Sequence, residues 1–187
     1  SLKPLSIRIS GFGGQGIILT AVILGTTMVR KGNLYVVQTQ SYGSEARGGE
    51  CQSELIISDR PINSPTTEYK DIFVSLFQSA LDKYLYTLKK KGILIVDPKL
   101  VTKIPSVDAS IYKVPATKMA IESGNRIAAN MVILGFLQKL IKWTSADDFR
   151  EVISSTVKEN FIDINLKAFN AGVHFTRNLD IKMENGI

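Results

Sequence analysis

The sequence predicts a single α/β domain with a mainly parallel, twisted sheet and helices on both of its faces. Short apolar segments of strand length alternate with longer segments of helical periodicity, which is the pattern of strands joined by crossover helices. A chain of 187 residues is long enough for one good-sized core and short for two. We therefore predict a domain over residues 1–175 and a polar C-terminal tail over residues 176–187.

The first third of the chain supplies three predicted strands and one helix. Leu5–Ser10 is predicted as the first strand, and Ile17–Lys31 as an amphipathic helix that ends at a glycine. Leu34–Gln40 is rich in β-branched and aromatic residues and is predicted as the second strand. A polar loop, Ser41–Gly49, follows it. Cys51–Ile57 alternates between apolar and polar residues, which predicts a strand with one face in water.

The middle of the chain continues the alternation. Asp59–Lys70 contains two prolines and is predicted as a surface connection. Ile72–Phe77 is almost entirely apolar, as expected of a buried parallel strand. Leu81–Lys91 is predicted as a helix, and the Lys89–Lys91 run before Gly92 would then place cations at its C-terminus.

The last part of the chain is predominantly helical in pattern. Ser145 followed by Asp148 resembles a capping box, which predicts a helix from there to about Val157. The remaining predicted elements are strands at Ile93–Val96 and Ser110–Val114 and helices at Arg126–Ile141 and Asn165–Phe175.

Composition and charge exclude several classes of function. Lysine and arginine exceed aspartate and glutamate by 6, but no stripe of basic and aromatic residues points to a nucleic acid. A basic surface can still help dock an acidic protein or an anionic substrate. No apolar run approaches the length of a membrane span and no signal peptide is visible, so no membrane partner and a cytoplasmic location are expected.

The chain has one cysteine, Cys51, and one histidine, His174. Neither a disulfide nor a zinc or iron–sulfur site can be built from these two residues alone. Cys51 lies on a predicted strand, so a buried apolar role is favoured over a nucleophile, which leaves a Cys51 hydrolase as a minor alternative. No nucleophile–base pair or carboxylate dyad stands out, and we predict no catalytic residue and no metal site.

A glycine-rich turn between the first strand and the first helix is the first candidate binding site. Gly13, Gly14, Gln15 and Gly16 let backbone N–H groups approach a ligand, and the helix N-terminus that follows favours a phosphate, a carboxylate or a polar loop. With Gly11 the glycines also match the dinucleotide pattern G-x-G-x-x-G of a Rossmann-like fold.

A dinucleotide site would also require an acidic residue at the end of the second strand. This strand ends in Gln38-Thr39-Gln40, and no acidic residue follows before Glu45. NAD binding is therefore disfavoured. A stand-alone nucleotide-binding or regulatory module that uses Gly11–Gly16 remains the alternative function.

The loop after the second strand is the second candidate binding site, since it should lie at the same carboxyl edge of the sheet. Arg47 could pair with Glu45 or form a bidentate contact with a carboxylate or phosphate. Its candidate binding residues are Ser41, Tyr42, Glu45, Arg47 and Gly48. A solvated surface loop with an ion pair is the competing interpretation.

Two motifs together resemble the gamma subunit of 2-oxoacid:ferredoxin oxidoreductases. They are IRISGFGGQGIIL at residues 7–19 and QTQSYGSEARGGEC at residues 38–51. The second is most similar to the branch of 2-oxoglutarate:acceptor oxidoreductases, also called 2-oxoglutarate synthases. The resemblance covers residues 5–175 and departs from the family pattern at Ser44, where proline is expected.

The resemblance implies a gamma-type domain within a multi-subunit enzyme. Such an enzyme decarboxylates a 2-oxoacid, here 2-oxoglutarate, to its acyl-CoA (succinyl-CoA) and passes the electrons to ferredoxin or flavodoxin. The alpha subunit, the thiamine-binding beta subunit and a ferredoxin-like delta subunit are the implied partners, and they would hold the thiamine diphosphate, Mg and iron–sulfur clusters. This chain would be structural and inactive alone, binding no cofactor by itself but contributing Gly13–Gly16 and Ser41–Gly48 to the coenzyme A site or to a subunit interface.

Overall fold

The computed structural model describes residues 3–43 and 49–175. The strands in these ranges are β1 (Leu5–Phe12), β2 (Tyr35–Tyr42), β3 (Glu50–Ser58), β4 (Lys70–Ser75), β5 (Leu88–Val96) and β6 (Ala109–Lys113). The helices are α1 (Ile17–Arg30), α2 (Gln78–Tyr84), α3 (Ala116–Glu122), α4 (Ala129–Leu140), α5 (Ala146–Thr156) and α6 (Ile162–His174). Short 3-10 turns occupy Leu85–Thr87, Arg126–Ala128 and Glu159–Phe161.

The six strands form one sheet in the order β2-β3-β1-β4-β5-β6. β1, β4, β5 and β6 are mutually parallel neighbours, whereas β3 runs antiparallel to both β1 and β2. The predicted, mainly parallel sheet is confirmed, with β3 as its exception. Since β1 and β2 are both antiparallel to β3, they point in the same direction. Both strands therefore end at the same edge of the sheet.

One face of the sheet carries the larger core. Leu5, Ile7 and Ile9 of β1 point to this side, which we call the apolar face, and they join a buried cluster with residues of α1, α3, α4, α5 and α6. Helices α4 and α6 cross so closely that a Cβ added at Gly135 or Gly172 would lie 2.0 Å from a backbone carbonyl oxygen of the other helix. The glycines at this crossing are therefore a steric requirement.

The opposite side, which we call the polar face, bears Ser6, Arg8 and Ser10 of β1. Helix α2 packs on its β4–β5 half, where a smaller cluster contains Phe73, Leu81, Leu88, Leu94, Val96 and Val101. The prediction of helices on both faces is thus confirmed, although the helices are divided unevenly between the two faces. The β1–β3 half of this face is lined mostly by polar side chains.

The predicted helix Leu81–Lys91 is wrong in its second half. Helix α2 ends at Tyr84, and Leu88–Lys91 begin strand β5. The Lys89–Lys91 run therefore does not interact with a helix C-terminus, and Lys89 Nζ instead contacts Asp71 Oδ1 at 2.8 Å. A 3-10 turn joins helix and strand directly, so no glycine or proline marks the boundary between the two elements.

The prediction of a surface connection is also wrong for its last residue, Lys70. It is the first residue of β4 and only 1% exposed. A register irregularity between Lys70 and Ile72 accompanies its contact with Glu54 of β3, 3.5 Å away. A charged residue beside a proline-containing connection gave no sequence signal of burial.

The C-terminal helices largely follow the prediction. The capping box is confirmed, since Ser145 Oγ accepts from the Asp148 N–H and the Asp148 carboxylate accepts from the Ser145 N–H. The helix predicted at Arg126–Ile141 begins as a 3-10 turn before α4, and α6 starts earlier than predicted, at Ile162. None of the described helices combines the length and apolarity needed to cross a membrane.

Candidate functional site

The glycine-rich turn leads from β1 into α1 at the carboxyl edge of the sheet. Gly14 and Gly16 have φ angles of 89° and 71°, a conformation that other residues rarely adopt. Gly16 is the N-cap of the 14-residue helix α1, which has no side-chain cap and no acidic residue in its first turn. The first N–H groups of α1 therefore have no competing anionic partner on their own helix.

Close packing explains two of these glycines. A Cβ at Gly16 would lie 2.3 Å from Asn130 Nδ2, which donates to the Gly16 carbonyl at 3.3 Å. Asn130 of α4 thus ties the glycine turn to the start of that helix. A Cβ at Gly11 would lie 2.4 Å from Gln15 Oε1. A Cβ added at Gly14, by contrast, would have no neighbour within 4 Å, so this side of the residue faces open space.

Gln15, a predicted binding residue, has internal partners. Its Oε1 accepts from the Phe12 N–H at 2.5 Å, and its Nε2 donates to the Leu76 carbonyl at 3.4 Å. The side chain thus ties the turn to the end of β4. This places Gln15 as a support of the turn, while Gly13, Gly14 and Gly16 present backbone.

The second candidate segment lies at the same edge, as the sequence predicted. Tyr42 pairs with Cys51, and Cys51 pairs with Gly11. The Gly13 N–H donates to the Gly49 carbonyl at 2.9 Å, which joins the glycine turn directly to the β2–β3 connection. The structure therefore brings the two motifs together.

The boundaries of the second segment differ from the prediction. Ser41 and Tyr42 are the last residues of β2 and not the first residues of a loop, because they continue the ladder with β3. Tyr42 is 68% exposed at this edge. The predicted residues Glu45, Arg47 and Gly48 lie outside the described residues.

A crevice of about 170 Å³ opens beside the glycine turn, between Gly14, Gln15, Asp97, Thr117 and Arg126. The Asp97 carboxylate accepts from the Lys99 N–H, the Thr117 N–H and Thr117 Oγ1 at 2.6–3.0 Å, so it ends β5 and holds the start of α3. Arg126 is exposed and forms no ion pair with any residue that the structure describes. It is a free cation near an open helix N-terminus.

A second, more apolar groove of about 430 Å³ also begins at Gly14 and Gly16. It runs between α1, the start of α4 and the segment that joins α5 to α6. Ile127, which is 75% exposed, and Phe161 line it together with Lys158. The glycine turn thus lies between a crevice that contains Arg126 and a largely apolar groove, a combination that suits a ligand with anionic and apolar parts.

The polar face carries a buried charge cluster that the sequence analysis missed. Arg8 Nη2 contacts Glu54 Oε1 at 3.0 Å, Lys70 Nζ lies 3.5 Å from the same oxygen, and the Arg8 guanidinium stacks 4.5 Å from the ring centroid of Tyr84. Burial lowers the pKa of Lys70, and the carboxylate of Glu54 opposes that shift. The alternation of β1 placed Arg8 opposite the core, and a solvent-exposed side chain was the natural expectation.

Cys51 is 6% exposed, and burial raises the pKa of its thiol. A buried thiol of raised pKa is a poor nucleophile, which supports the predicted apolar role. Within residues 3–43 and 49–175, no three His, Cys, Asp or Glu side chains cluster in a way that could hold a metal ion.

Comparisons with known proteins place this chain among oxidoreductase subunits. The family model described as pyruvate ferredoxin/flavodoxin oxidoreductase matches residues 6–175. The 2-oxoglutarate synthase subunit KorC of Methanocaldococcus jannaschii is 45% identical, over 92% of this chain and 94% of that protein. The KorC subunit of Methanothermobacter thermautotrophicus is 42% identical, over 89% of this chain and 92% of that protein.

Among solved structures, this chain is similar to the gamma subunit of a keto/oxoacid ferredoxin oxidoreductase from Geobacter sulfurreducens. The two chains are 39% identical and superpose with a TM-score of 0.79, over 90% of this chain and 95% of the other. The similarity thus extends over nearly the full length of both chains.

Proposed function

The chain belongs to the pyruvate ferredoxin/flavodoxin oxidoreductase family as a subunit of a 2-oxoacid oxidoreductase complex, and we propose that its complex oxidises 2-oxoglutarate. The reaction joins 2-oxoglutarate and coenzyme A into succinyl-CoA, releases CO₂ and passes two electrons to a ferredoxin or flavodoxin. Support for the oxoacid comes from the 45% identity to a 2-oxoglutarate synthase subunit over nearly its whole length. The resemblance of residues 38–51 to that branch agrees with it.

The chemistry of the complex is assigned to partner subunits. An iron–sulfur cluster held by four thiolates cannot be built here because the chain has a single cysteine. We assign the thiamine diphosphate, Mg and the clusters to the alpha, beta and delta subunits. This chain then acts as a structural gamma subunit that is inactive in isolation.

A substrate comparison tests the proposed oxoacid. The complex, isolated through a tag on this chain, would be assayed for kcat/KM with 2-oxoglutarate, pyruvate and 2-oxoisovalerate in the presence of coenzyme A. We expect 2-oxoglutarate to exceed the others by about tenfold or more, the size of discrimination that a few side-chain contacts supply. A higher kcat/KM for either of the other oxoacids would contradict the proposal.

The carboxyl edge around Gly13–Gly16 and Ser41–Gly48 is proposed to face coenzyme A or a neighbouring subunit. The observation that carries this proposal is the uncapped N-terminus of α1, which opens through Gly14 onto the crevice that contains Arg126 and onto the apolar groove. Phosphate groups bind well at such N-termini, and the groove offers an apolar surface for the rest of a long ligand.

Arg47 is the proposed charge contact to coenzyme A. In the assembled enzyme, Arg47→Ala should raise the KM for coenzyme A about tenfold through the loss of a charge-assisted contact, with kcat and the KM for 2-oxoglutarate unchanged. Arg30→Ala, at the far end of α1, is the matched control and should leave all three constants unchanged. An unaltered KM in an intact Arg47→Ala complex would remove Arg47 from the coenzyme site.

The stand-alone nucleotide-binding module finds no support in the comparisons. The structure adds a physical reason, since β3 lies between β1 and β2. The end of β2 is therefore displaced by one strand from the position at which a Rossmann acidic residue would approach a ribose.

A further inference from the structure

Strand β2 forms one edge of the sheet, and its outer side is open. Within the described chain its neighbouring strand is β3, and α1 packs on one of its faces. In an antiparallel edge strand, alternate residues point their backbone N–H and C=O groups away from the sheet. In Tyr35–Tyr42 these outward groups have no hydrogen-bond partner among the residues that the structure describes. An open ladder of this kind is a template for a further strand.

The main part of this edge lacks the usual protection against pairing. Tyr35–Gln40, which we call the free edge, contains no charged residue, no proline and no glycine. Its register with β3 is continuous, so no β-bulge twists it away. Natural proteins normally protect edge strands with charges, prolines, bulges or very short strands. The free edge excludes Ser41–Gly48, the segment proposed for coenzyme A.

The opposite edge of the sheet, by contrast, is protected. Strand β6 has only five residues and ends at Lys113, and Pro115 follows two residues later. A short strand and a terminal lysine both disfavour pairing between the edges of two sheets. The described sheet can therefore be extended at β2 but not at β6.

An apolar stripe of α1 flanks the free edge. Ile18, Val22, Gly25 and Val29 follow one another at intervals of four, three and four residues, which places them on one face of the helix. Gly25 lies against β2, since a Cβ added there would be 3.3 Å from Val36 Cγ1. Ile18 and Val22 are half-buried, and Val29 is 48% exposed. Apolar surface therefore continues from the free edge onto the helix above it.

We infer that the free edge and this helix stripe form the interface of a homodimer, in which β2 of one copy pairs antiparallel with β2 of a second copy. A two-fold axis perpendicular to the sheet produces this pairing and keeps α1 of both copies on the same face. The two β2 strands then lie about 4.8 Å apart. Since α1 packs on both β2 and β3, its axis lies about one strand spacing from the two-fold axis. The two α1 helices therefore lie about 10 Å apart, a normal packing distance for helices.

A second copy is favoured as the partner because it covers both features at once. An extended peptide would pair with the free edge but would leave the stripe of α1 in water. The same patch on another copy presents a strand and an apolar helix in matching positions. Although each copy carries a net charge of +6, the free edges bring no like charges opposite each other. Because β6 is protected, pairing stops at two copies and does not continue into a fibre.

Sedimentation equilibrium of the full chain tests the interface, and the expected result is a dimer. Thr39→Lys places a charge near the middle of the free edge, and Val22→Lys places one in the middle of the helix stripe. In the dimer each new lysine lies close to its own copy across the two-fold axis. We expect either substitution to raise the dimer Kd about tenfold or more, because like charges then face each other across the interface.

Ile111→Lys is the matched control, because Ile111 is an exposed residue in the middle of the other edge strand, β6. This variant should keep the Kd of the parent chain. Thr39→Glu provides a second check, since Thr39 lies in register with Glu54, where Arg8 and Lys70 leave one net positive charge beside a new carboxylate. An equimolar mixture of Thr39→Lys and Thr39→Glu chains should recover a heterodimer, because opposite charges then face each other. Mixing could not recover a dimer lost through misfolding.

Three results would each overturn the inference. A parent chain that stays monomeric up to about 1 mM has no such interface. Equal Kd values for the parent chain and Thr39→Lys would place the contact between copies elsewhere on the surface. Hydrogen exchange supplies the third result. Slow exchange of the outward amides of the free edge in the assembled complex, but not in the isolated chain, would assign this edge to a strand of a partner subunit.

Discussion

At β1 both faces of the central sheet are buried, but one face carries apolar side chains and the other carries polar and charged ones. Leu5, Ile7 and Ile9 on the apolar face are buried, and Arg8 and Ser10 on the polar face are buried to a similar degree. The apolar face is stabilised by hydrophobic packing against five helices. The polar face depends on ion pairs and hydrogen bonds, which compensate the cost of desolvation only when every partner is present. Burial alone therefore does not reveal what holds a sheet face together.

One of the two largest expected effects lies on the apolar side, where α4 and α6 cross. Gly135→Ala would place a Cβ 2.0 Å from the Phe169 carbonyl oxygen, a backbone atom that cannot move alone. The two helices must separate, and we expect a loss of about 3 kcal/mol in the free energy of unfolding. Urea titration followed by circular dichroism measures this loss.

Gly25→Ala in α1 is the control for that prediction. There the new Cβ would meet side chains and no backbone, namely Val36 at 3.3 Å, Leu55 at 3.6 Å and Gln38 at 3.9 Å. Alanine is favoured over glycine in a helix by about 1 kcal/mol, which should offset the cost of these contacts. We therefore expect the free energy of unfolding to change by about 1 kcal/mol or less. An unchanged stability of Gly135→Ala would contradict the tight crossing.

On the polar face, two substitutions in the charge cluster should change the free energy of unfolding by different amounts. Glu54→Gln leaves Arg8 and Lys70 buried without an anion and should cost about 3 kcal/mol. Lys70→Met leaves a one-to-one pair of Arg8 and Glu54 and should cost about 1 kcal/mol or less. The same urea titration measures both. Equal losses would mean that the charges in this cluster do not act together.

Raising the pH should also change the stability that Lys70 contributes, by a smaller amount than the substitutions do. Lys70 has a pKa below its ordinary value of 10.5 in the folded chain. Between the lowered and the ordinary pKa the unfolded chain binds more protons at this residue, so its contribution to stability rises with pH. The free energy of unfolding of the parent chain minus that of Lys70→Met should increase as pH is raised through this range. A flat difference would indicate that Lys70 titrates normally.

Apolar patterning predicted most of the fold, because β1 alternates, β4 is a short continuous apolar run and α1 follows the helical period. The antiparallel placement of β3 could not be predicted, since a strand pattern does not state which neighbour it joins. Leu88–Lys91 were assigned to a helix because three consecutive lysines carry no strand signal. These errors concern tertiary pairing, which local sequence does not encode.

The candidate site was predictable where backbone chemistry defines it. Glycines between a strand and a helix indicate a turn of exposed backbone, and the structure shows that turn next to the end of β2, although the N–H groups of Gly13 and Gln15 are already hydrogen-bonded within it. Arg126 and Thr117 were missed because they are distant in sequence from Gly14 and become neighbours only through the packing of α3 and α4.

The central position of β1 has a consequence for the growing chain during synthesis. Its two neighbours, β3 and β4, end at Ser58 and Ser75, so β1 has no complete partner strand until the 46 residues after Phe12, up to Ser58, have followed it out of the ribosome, and its second partner comes later still. The β2–β3 hairpin, whose contacts are local, can form in the meantime. We therefore expect this part of the nascent chain to fold from the hairpin, with β1 entering the sheet afterwards.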